Sequence, residues 1–290
     1  MSGSWSRAAR RGNLSASTQT RDAPMKNKTC LTMTTLLLCA LCSGAVTAKP
    51  VTHPTIVLVH GAWETSAIWR PVAGQLRAHG YRVIAVNLPG RPGAAQAPEA
   101  ISLDAYRDTV LAAIAGERAP VVLVGHSFGG ITVTNVAEAA PEKIKTLVYL
   151  AAFVPQDGRT LLALAQADTA SKMPPYLTVN THKKAMSVEA SARGELFAND
   201  ATAAQQARMQ HMIVDEPLQP MMTPVHLTAR SSGVDRVYIR TLQDKALSPA
   251  FQSRTIAATP MRMTIDLDTG HSPFLTAPGA LVAAIEQAAQ

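Results

Sequence analysis

The feature that most constrains the fold of this chain is a serine set between glycines, where an apolar strand turns into a helix. An apolar, β-branched run ends in Gly125-His-Ser-Phe-Gly129, and a helical pattern follows over 131–140. So tight a turn forces its apical residue, Ser127, toward positive φ, and the flanking Gly125 and Gly129 leave room for it. The amide of Phe128 then points to the same side as the serine hydroxyl, at a helix N-terminus. The pattern predicts a nucleophile elbow at Ser127.

Length and composition favour a folded protein with a substantial core. The 290 residues suit one large α/β domain or two small ones. Hydrophobic residues make up 47% of the chain and charged residues 16%, a balance that is typical of globular proteins and not of disordered ones.

The first 48 residues have the organisation of an export signal. A short basic region at 25–28 precedes an apolar run over 30–42, and small residues at 46–48 offer a cleavage site. The apolar run is too short for a stable membrane span. Because 1–24 lie upstream, we interpret Met25 as the true start or 1–24 as an extra leader; a buried or anchored N-terminal helix is the alternative. The protein is therefore expected to be exported, to the periplasm or beyond the cell.

The net charge of +7 suggests an anionic partner, but its distribution argues against one. Residues 1–48 carry six Lys or Arg and one Asp, which leaves +2 on residues 49–290. All three cysteines, Cys30, Cys39 and Cys42, also fall in the leader. The domain over 49–290 therefore has no disulfide and no cysteine metal site, and we expect no nucleic-acid partner.

Strands and helices alternate through the first half of this domain. Uninterrupted β-branched runs indicate buried parallel strands, and apolar residues at helical spacing lie between them. Beside the elbow segment, the predicted strands are 55–59, 81–86 and 146–152, and the predicted helices are 66–79 and 103–115. Ser102 and Ser248 are predicted helix N-caps, and Gly80 a helix-ending glycine. The alternation predicts an α/β fold with a doubly wound, mostly parallel sheet.

Residues from about 155 to 234 interrupt this alternation. The stretch is rich in Ala, Met and Pro, which predicts a mostly helical insertion that forms a lid. Its methionines either line a soft apolar lid over a pocket or fill the core between lid helices. Strands resume at 236–240 and 261–266, and a helix over 280–289 follows.

The residue that activates Ser127 is expected on a loop after a late strand. A serine hydroxyl becomes a good nucleophile only when a base takes its proton and a third group fixes the tautomer of that base. In folds with such an elbow, the acid and then the histidine follow the serine in the chain. His271 is the only histidine after the last predicted strand and is the predicted base; an incidental loop histidine is the alternative.

Asp244 is the predicted acid because it directly follows the strand over 236–240. The alternative is a surface carboxylate paired with Lys245. Three other aspartates are rivals that lie too close to the predicted base in the chain or at the wrong end of the sheet: Asp266, Asp268 and Asp235.

Two backbone amides are predicted to bind the oxyanion, those of Phe128 and of Ala62 at the end of the first strand. His60 and His126 are interpreted as structural hydrogen-bonding residues. Two aromatic residues either form part of the substrate pocket or only pack in the core: Trp63 and Trp69. The remaining histidines lack metal-ligand spacing, so neither a metal nor an organic cofactor is predicted.

Five segments carry a resemblance to a known family. They are Val57-Leu-Val-His-Gly-Ala62, Gly125-His-Ser-Phe-Gly-Gly130, Leu150-Ala-Ala-Phe-Val-Pro155, the stretch 236–252, and Gly270-His271. In these segments the chain resembles the α/β-hydrolases, and more narrowly the plant methylesterase and hydroxynitrile lyase group with its bacterial esterase relatives. The resemblance spans about 55 to 285. Its most group-specific part is the pattern Thr-x-x-Asp-x-x-x-x-Pro-x-Phe-Gln over 241–252.

The resemblance implies a triad of Ser127, Asp244 and His271, with Ala62 and Phe128 in the oxyanion hole. The family pattern also separates activities, because its cyanohydrin-cleaving members carry Thr after the first-strand histidine and Lys after the catalytic one. Here those positions are Gly and Ser, so lyase activity is not expected. The altered sequence after Ala62 likewise argues against plant-hormone esters.

The leading hypothesis is a serine carboxylesterase whose small-molecule substrates are small to medium uncharged esters. One alternative is cleavage of a carbon–carbon, lactone or amide bond by the same triad. Another, of a different class, is a non-catalytic small-ligand receptor on a hydrolase fold. Dehalogenase and epoxide hydrolase activities require an aspartate nucleophile at position 127. This chain has a serine there, so neither activity is expected. The sequence does not indicate the oligomeric state.

Overall fold

The computed structural model describes residues 53–97 and 100–290, so the predicted export signal lies outside the described residues. The strands of this part are β1 (Ile56–Val59), β2 (Val83–Val86), β3 (Val121–His126), β4 (Ile144–Leu150), β5 (Leu177–Asn180), β6 (Ala185–Val188), β7 (Glu216–Pro217), β8 (Asp235–Thr241) and β9 (Met263–Leu267). Its helices are α1 (Arg70–Ala78), α2 (Leu103–Ala113), α3 (Gly129–Ala139), α4 (Leu161–Gln166), α5 (Arg193–Phe197), α6 (Ala203–Met212), α7 (Leu218–Met222), α8 (Pro249–Ala258), α9 (Pro273–Thr276) and α10 (Pro278–Ala288). None of the helices described here has the length and apolar character that crossing a membrane requires.

Six strands form one parallel sheet in the order β2-β1-β3-β4-β8-β9. The central strands β1 and β3 are buried along their whole length, as expected for a parallel sheet covered by helices on both faces. The Val, Ile and Leu side chains of these two strands fill the space between the sheet and the helices on each of its faces. The predicted α/β fold with a doubly wound, mostly parallel sheet is confirmed.

The parallel register brings the carboxyl ends of the strands to one edge of the sheet. Val59 at the end of β1 pairs with Gly125 in β3, and His126 pairs with Leu150 at the end of β4. Leu150 in turn pairs with Ile239 in β8. The segments that follow β1, β3, β8 and β9 therefore emerge at the same edge, and they carry the predicted site residues.

Helix boundaries follow the local sequence signals. The Ser102 hydroxyl accepts the amide of Ala105 at the start of α2, and the Ser248 hydroxyl accepts that of Phe251 in α8. Gly80, just after α1, has a φ of 89°, which glycine adopts without strain. These three predicted caps are confirmed.

The insertion between β4 and β8 is mostly helical, as predicted, but it also contains a small sheet that the sequence did not indicate. Helices α4 to α7 lie in it together with antiparallel strands in the order β5-β6-β7. These strands are only two to four residues long. An alternating pattern cannot stand out over so few residues, which is why the sheet was missed.

Candidate active site

Ser127 lies at the apex of the turn between β3 and α3, with a φ of 52°. A Cβ atom on Gly125 would lie 2.6 Å from the carbonyl oxygen of Gly129, and one on Gly129 would lie 2.8 Å from the carbonyl oxygens of Val59 and His60. Both distances are shorter than real side chains tolerate. Gly125 therefore lets the start of α3 pack directly on β3, and Gly129 lets it pack on the end of β1. This packing holds the serine in its unusual backbone conformation.

Ser127 borders a cavity of about 320 Å³ beneath the lid. Four other predicted site residues border the same cavity: His271, Ala62, Phe128 and Trp63. The structure therefore brings five of the predicted site residues together. Most of the remaining wall is apolar and comes from the core and from the lid; it includes Phe153, Leu161, Leu162, Met173, Leu177, Met186, Phe197, Met221 and Leu247. A volume of this size accommodates a small to medium organic molecule.

Both alternatives for the lid methionines occur. Met173, Met186 and Met221 border the cavity. Met209 is fully buried in the core, whereas Met222 is largely exposed. Three flexible thioethers at the wall give the pocket an adaptable apolar surface.

His271 and Asp244 form a buried pair on the loops after β9 and β8. Nδ1 of His271 lies 2.7 Å from Oδ2 of Asp244. Burial by itself lowers the pKa of His271, but the charge of Asp244 and its hydrogen bond to the ring outweigh burial, with a smaller contribution from Glu64. The pKa of His271 is therefore raised above its ordinary value.

The Asp244 carboxylate is held by four further donors. Its Oδ1 atom accepts the amides of Ala246 and Leu247, each across 2.8 Å. Its Oδ2 atom accepts the Thr241 hydroxyl at 2.9 Å and the Gln252 side-chain amide at 3.2 Å. The carboxylate is thus fixed in one orientation, with Oδ2 turned to the histidine ring.

The alternatives for the acid are engaged elsewhere. Lys245, the proposed surface partner of Asp244, pairs with Glu195. The rival aspartates have other partners on the protein surface: Asp266 binds Arg240, Asp268 binds Gln243, and Asp235 binds Arg262. Among these carboxylates, Asp244 is the one that reaches His271.

Gln252 and Thr241 were not predicted as site residues, although both lie in the group-specific segment over 241–252. Gln252 is fully buried; its Oε1 atom accepts the amide of Thr241 and its Nε2 atom donates to the carbonyl of Leu247, besides Asp244. The spacing of Thr, Asp and Gln in that segment therefore has a structural reason, because the two outer residues orient the carboxylate between them.

The predicted oxyanion donors have their backbone N–H groups free. Within 53–97 and 100–290, neither the Ala62 amide nor the Phe128 amide has a protein acceptor. The carbonyl of Gly61 accepts Nδ1–H of His60 across 2.9 Å. Because C=O and N–H point in opposite directions in a trans peptide, this bond fixes the direction of the Ala62 N–H.

His60 has the structural role that the sequence analysis gave it. While Nδ1 donates to Gly61, Nε2 accepts the amide of Leu88 at 3.1 Å, so the ring carries a single proton. Burial, and then the positive charge of Arg91, lower the pKa of His60 to about 3. The ring is therefore neutral at any pH at which the protein is expected to work.

Trp63 ties the lid to the segment that carries Ala62. Its ring N–H donates to the carbonyl of Met186 at 2.9 Å, and its carbonyl accepts the amide of Val214 at 2.8 Å. Its own amide donates to Oε2 of Glu216, also at 2.8 Å. Trp63 has a φ of 61°, an uncommon conformation for a bulky residue, and these three bonds to the lid hold it there. Its side chain borders the cavity.

Trp69 does not border this cavity. Its side chain is fully buried and packs edge-on against the rings of His126 and Phe274. The sequence left open whether Trp69 forms part of the substrate pocket or packs in the core. In the structure it packs in the core.

A buried ion pair that the sequence did not reveal joins the lid to the loop that follows β2. Arg91 and Glu216 are joined directly, and neither side chain is exposed. The Tyr106 hydroxyl donates to the other oxygen of Glu216, and Nε of Arg91 donates to the carbonyl of Glu64. Burial alone would lower the pKa of Arg91, but Glu216 raises it overall, so the guanidinium stays charged.

In the part of the chain that the structure describes, no three His, Cys, Asp or Glu side chains are grouped as metal ligands would be. The polar groups around the cavity are those of the serine, histidine and backbone amides already named, together with side chains from the lid.

The alpha/beta hydrolase family model matches residues 56–285, and the chain belongs to that family. The predicted resemblance is thereby confirmed.

Individual relatives show which members of this family the chain is similar to. The carbendazim hydrolyzing esterase of Nocardioides sp. (strain SG-4G) is 42% identical over 113 residues, which are 37% of this chain and 46% of that protein. A chloroplastic methylesterase of Arabidopsis thaliana is 28% identical over 240 residues, 78% of this chain and 61% of that protein. The matches thus span about half to three-fifths of these two relatives.

Among solved structures, a pyrethroid hydrolase from Sphingobium faniae JZ-2 has the same fold. Its TM-score is 0.72 at 26% identity, with 82% of this chain and 98% of that chain covered. These proteins are named as esterases or hydrolases, and the matches support carboxylic ester hydrolase activity for this chain.

Proposed function

We propose that this protein hydrolyses small to medium uncharged carboxylic esters through a covalent acyl-enzyme on Ser127. One observation carries the proposal. Ser127, at positive φ, borders the same cavity as His271, whose Nδ1 atom is bound to Asp244. These are the three groups that a serine esterase needs, in the chain order that this fold uses.

The tautomer of His271 gives each group its role. Because Oδ2 of Asp244 accepts the proton on Nδ1, the unprotonated ring nitrogen is Nε2, which takes the proton of Ser127 as the hydroxyl attacks the ester carbonyl. The imidazolium then passes that proton to the departing alcohol. Water repeats the cycle and releases the acid. Asp244 keeps the ring oriented and stabilises its positive charge.

The backbone supplies the electrostatic part of the reaction. The tetrahedral intermediate carries a negative oxygen, and Ala62 and Phe128, whose amides have no acceptor within the described residues, border the same cavity as Ser127. Amides that are fixed before the reaction stabilise this charge without reorganisation. The bond from His60 to the Gly61 carbonyl supplies that fixation for Ala62.

The cavity wall supports an uncharged, apolar substrate. Asp168 is the one carboxylate that borders the cavity within the described residues, and its oxygens accept the amide and hydroxyl of Ser248 and the amide of Ala170. A cationic substrate would find no free carboxylate there, and no Lys or Arg among the described residues borders the cavity to balance an anionic one; burial of an unbalanced charge is costly. Apolar acyl and alcohol groups instead gain from contact with the aromatic and aliphatic wall.

Space around the serine argues against cyanohydrin cleavage. A Cβ atom on Gly61 would lie 2.8 Å from Cβ of Ser127 and 3.0 Å from Oε2 of Glu64. The threonine that cyanohydrin-cleaving relatives carry at this position would not fit without displacing the serine. The site is therefore better suited to hydrolysis.

A fluorophosphonate probe followed by peptide mass spectrometry tests the proposal. We expect one adduct on Ser127, and hydrolysis of p-nitrophenyl acetate and butyrate that the probe abolishes. A panel of matched lactones, amides and β-diketones would distinguish esters from the other bonds that such a triad cleaves. Absence of labelling at Ser127 would contradict the proposal and favour a non-catalytic ligand receptor.

We also propose that the protein is exported, on the basis of the predicted signal within residues 1–48. Expression of the full chain followed by N-terminal sequencing of the periplasmic and extracellular fractions tests this. An N-terminus near Lys49 is the expected result. Protein that retains residues 25–48 and stays in the cytoplasm would contradict it.

A further inference from the structure

A second carboxylate–histidine pair lies behind the proposed triad. Oε2 of Glu64 lies 2.9 Å from Nδ1 of His126, and both side chains are buried. Nε2 of His126 lies 2.9 Å from the backbone carbonyl oxygen of His271. The same Glu64 oxygen accepts the amide of Gly61 at 2.8 Å. The pair therefore contacts both the segment that carries the Ala62 amide and the loop that carries the base.

The partners define the role of each group in the pair. A carbonyl oxygen only accepts, so Nε2 of His126 carries a proton for its bond to His271. Burial alone would raise the pKa of Glu64, but the attraction of His126, the hydrogen bond from its ring, the attraction of His271 and the hydrogen bond from the Gly61 amide lower it overall. Glu64 is therefore a carboxylate that binds both the His126 ring and the Gly61 amide.

The sheet does not join the two segments that this pair contacts. Gly61 follows β1 and His271 follows β9, and β9 lies four strands away from β1 in the sheet. A bridge between them has to be made by side chains above the sheet edge, where His126 ends β3. Both ends of the bridge are hydrogen bonds to backbone groups, so it acts on main-chain position.

We propose that Glu64 and His126 are positioning residues, a buried hydrogen-bonded pair that holds the oxyanion segment at Gly61 and the backbone of His271 in their working arrangement. The inference rests on the proposed esterase mechanism, because it assigns these residues to that site. Hydrogen bonds to a carboxylate in a water-free interior are stronger than those between neutral groups, so Glu64 fixes the Gly61 amide and the His126 ring firmly.

The pair also influences the titration of the base. The charged or titratable groups that face it are His271, His60 and Arg91; Arg91 donates to the carbonyl of Glu64, and His60 is neutral. The negative charge of Glu64 contributes to the raised pKa of His271. Removing that charge therefore lowers the pKa of His271, an effect that a merely structural residue would not have.

Steady-state kinetics of Glu64→Gln test the proposal, since this change keeps the shape of the side chain and removes its charge. We expect kcat to fall about 10- to 100-fold with KM little changed, because misplacement of the catalytic groups acts mainly on the chemical step. The rise of kcat/KM with pH should move to lower pH. Glu138→Gln is the matched control: Glu138 is also buried and accepts hydrogen bonds from Thr228 and Ser231, away from the cavity. That variant should lose stability and keep the wild-type pH profile.

Nitrogen-15 NMR of histidine-labelled wild-type protein tests the bridge directly and does not depend on the variant folding. Nε2 of His126 should be protonated, because it donates to the carbonyl of His271, with the signals assigned from a His126→Gln variant. An unprotonated Nε2 on His126 would overturn the proposal.

Two kinetic results separate this proposal from the function it rests on. If Ser127→Ala is inactive while Glu64→Gln has wild-type kcat and pH profile, the positioning role is wrong and the esterase mechanism stands. If Ser127→Ala keeps wild-type hydrolysis, the esterase mechanism itself is wrong.

Discussion

Nδ1 of His271 donates a hydrogen bond to Oδ2 of Asp244 across 2.7 Å, and both side chains are shielded from solvent. The carboxylate cannot rotate away from the ring, because its other oxygen accepts the amides of Ala246 and Leu247. The contact leaves Nε2 of the ring as the free base and raises the pKa of His271. Changes at this pair should therefore alter both the rate and the pH dependence of hydrolysis.

Asp244→Asn should lower kcat by about 10³- to 10⁴-fold, as loss of the orienting carboxylate does in triads of this kind. Hydrolysis needs neutral His271, so kcat/KM rises with pH through the pKa of that residue. Without the charge of Asp244, burial dominates and the pKa falls, so the rise should shift to lower pH. A pH profile of kcat/KM measures both effects. Asp268→Asn is the control and should match wild type; an unshifted profile in Asp244→Asn would count against the pairing.

Gln252→Leu should reduce the free energy of unfolding by about 2–4 kcal/mol, because it leaves buried backbone groups of Thr241 and Leu247 without their partners. It should also lower kcat, since Asp244 loses a donor. Urea denaturation and steady-state kinetics measure the two effects. The same change at Gln243, which is exposed and donates through its side chain to Asp268, should alter stability by less than about 0.5 kcal/mol. Equal effects at the two positions would refute the role given to Gln252.

Gly129→Ala should destabilise the protein by about 1–3 kcal/mol and reduce activity, because the new methyl group meets the carbonyl oxygens of Val59 and His60 at 2.8 Å. Gly74→Ala is the contrasting variant, since Gly74 lies within α1 and an added Cβ there has nothing within 4 Å. It should stabilise the protein by about 0.5–1 kcal/mol with normal activity. Thermal unfolding of both variants provides the comparison, and a neutral Gly129→Ala would show that the elbow is looser than described.

Arg91→Met should cost about 3–5 kcal/mol of stability, because it leaves the charge of Glu216 buried without its partner. Glu216 also accepts the Trp63 amide, so the lid should become more sensitive to limited proteolysis. Arg107→Met is the control: Arg107 pairs with the exposed residues Asp104 and Asp108, and its loss should cost no more than about 1 kcal/mol. The same protease sensitivity in both variants would argue against a special role for the buried pair.

The sequence predicted the fold well where the local pattern is strong. The β-branched runs of β1 and β3 and the capping residues Ser102 and Ser248 carry their signals in adjacent residues, and the structure has them as predicted. The lid sheet has no such signal, because its strands are too short to show a period.

Site residues could be predicted from the sequence only where a local motif or the order of residues in the chain identifies them. Ser127, Asp244 and His271 were found from strand ends and chain order, and their catalytic roles stay predictions. Arg91 was missed because its partner Glu216 lies 125 residues away in the lid. Such a pairing depends on how the lid folds back onto the core, which neither local propensity nor spacing encodes.

Hydrolysis of p-nitrophenyl butyrate by Ser127→Ala tests the central claim most directly, with Ser232→Ala as the control at an exposed serine whose hydroxyl donates to the carbonyl of Ala229. We predict that Ser127→Ala lowers kcat by about 10⁴-fold or more, while it folds normally and Ser232→Ala matches wild type. Wild-type turnover by Ser127→Ala would show that this serine is not the nucleophile and would contradict the account.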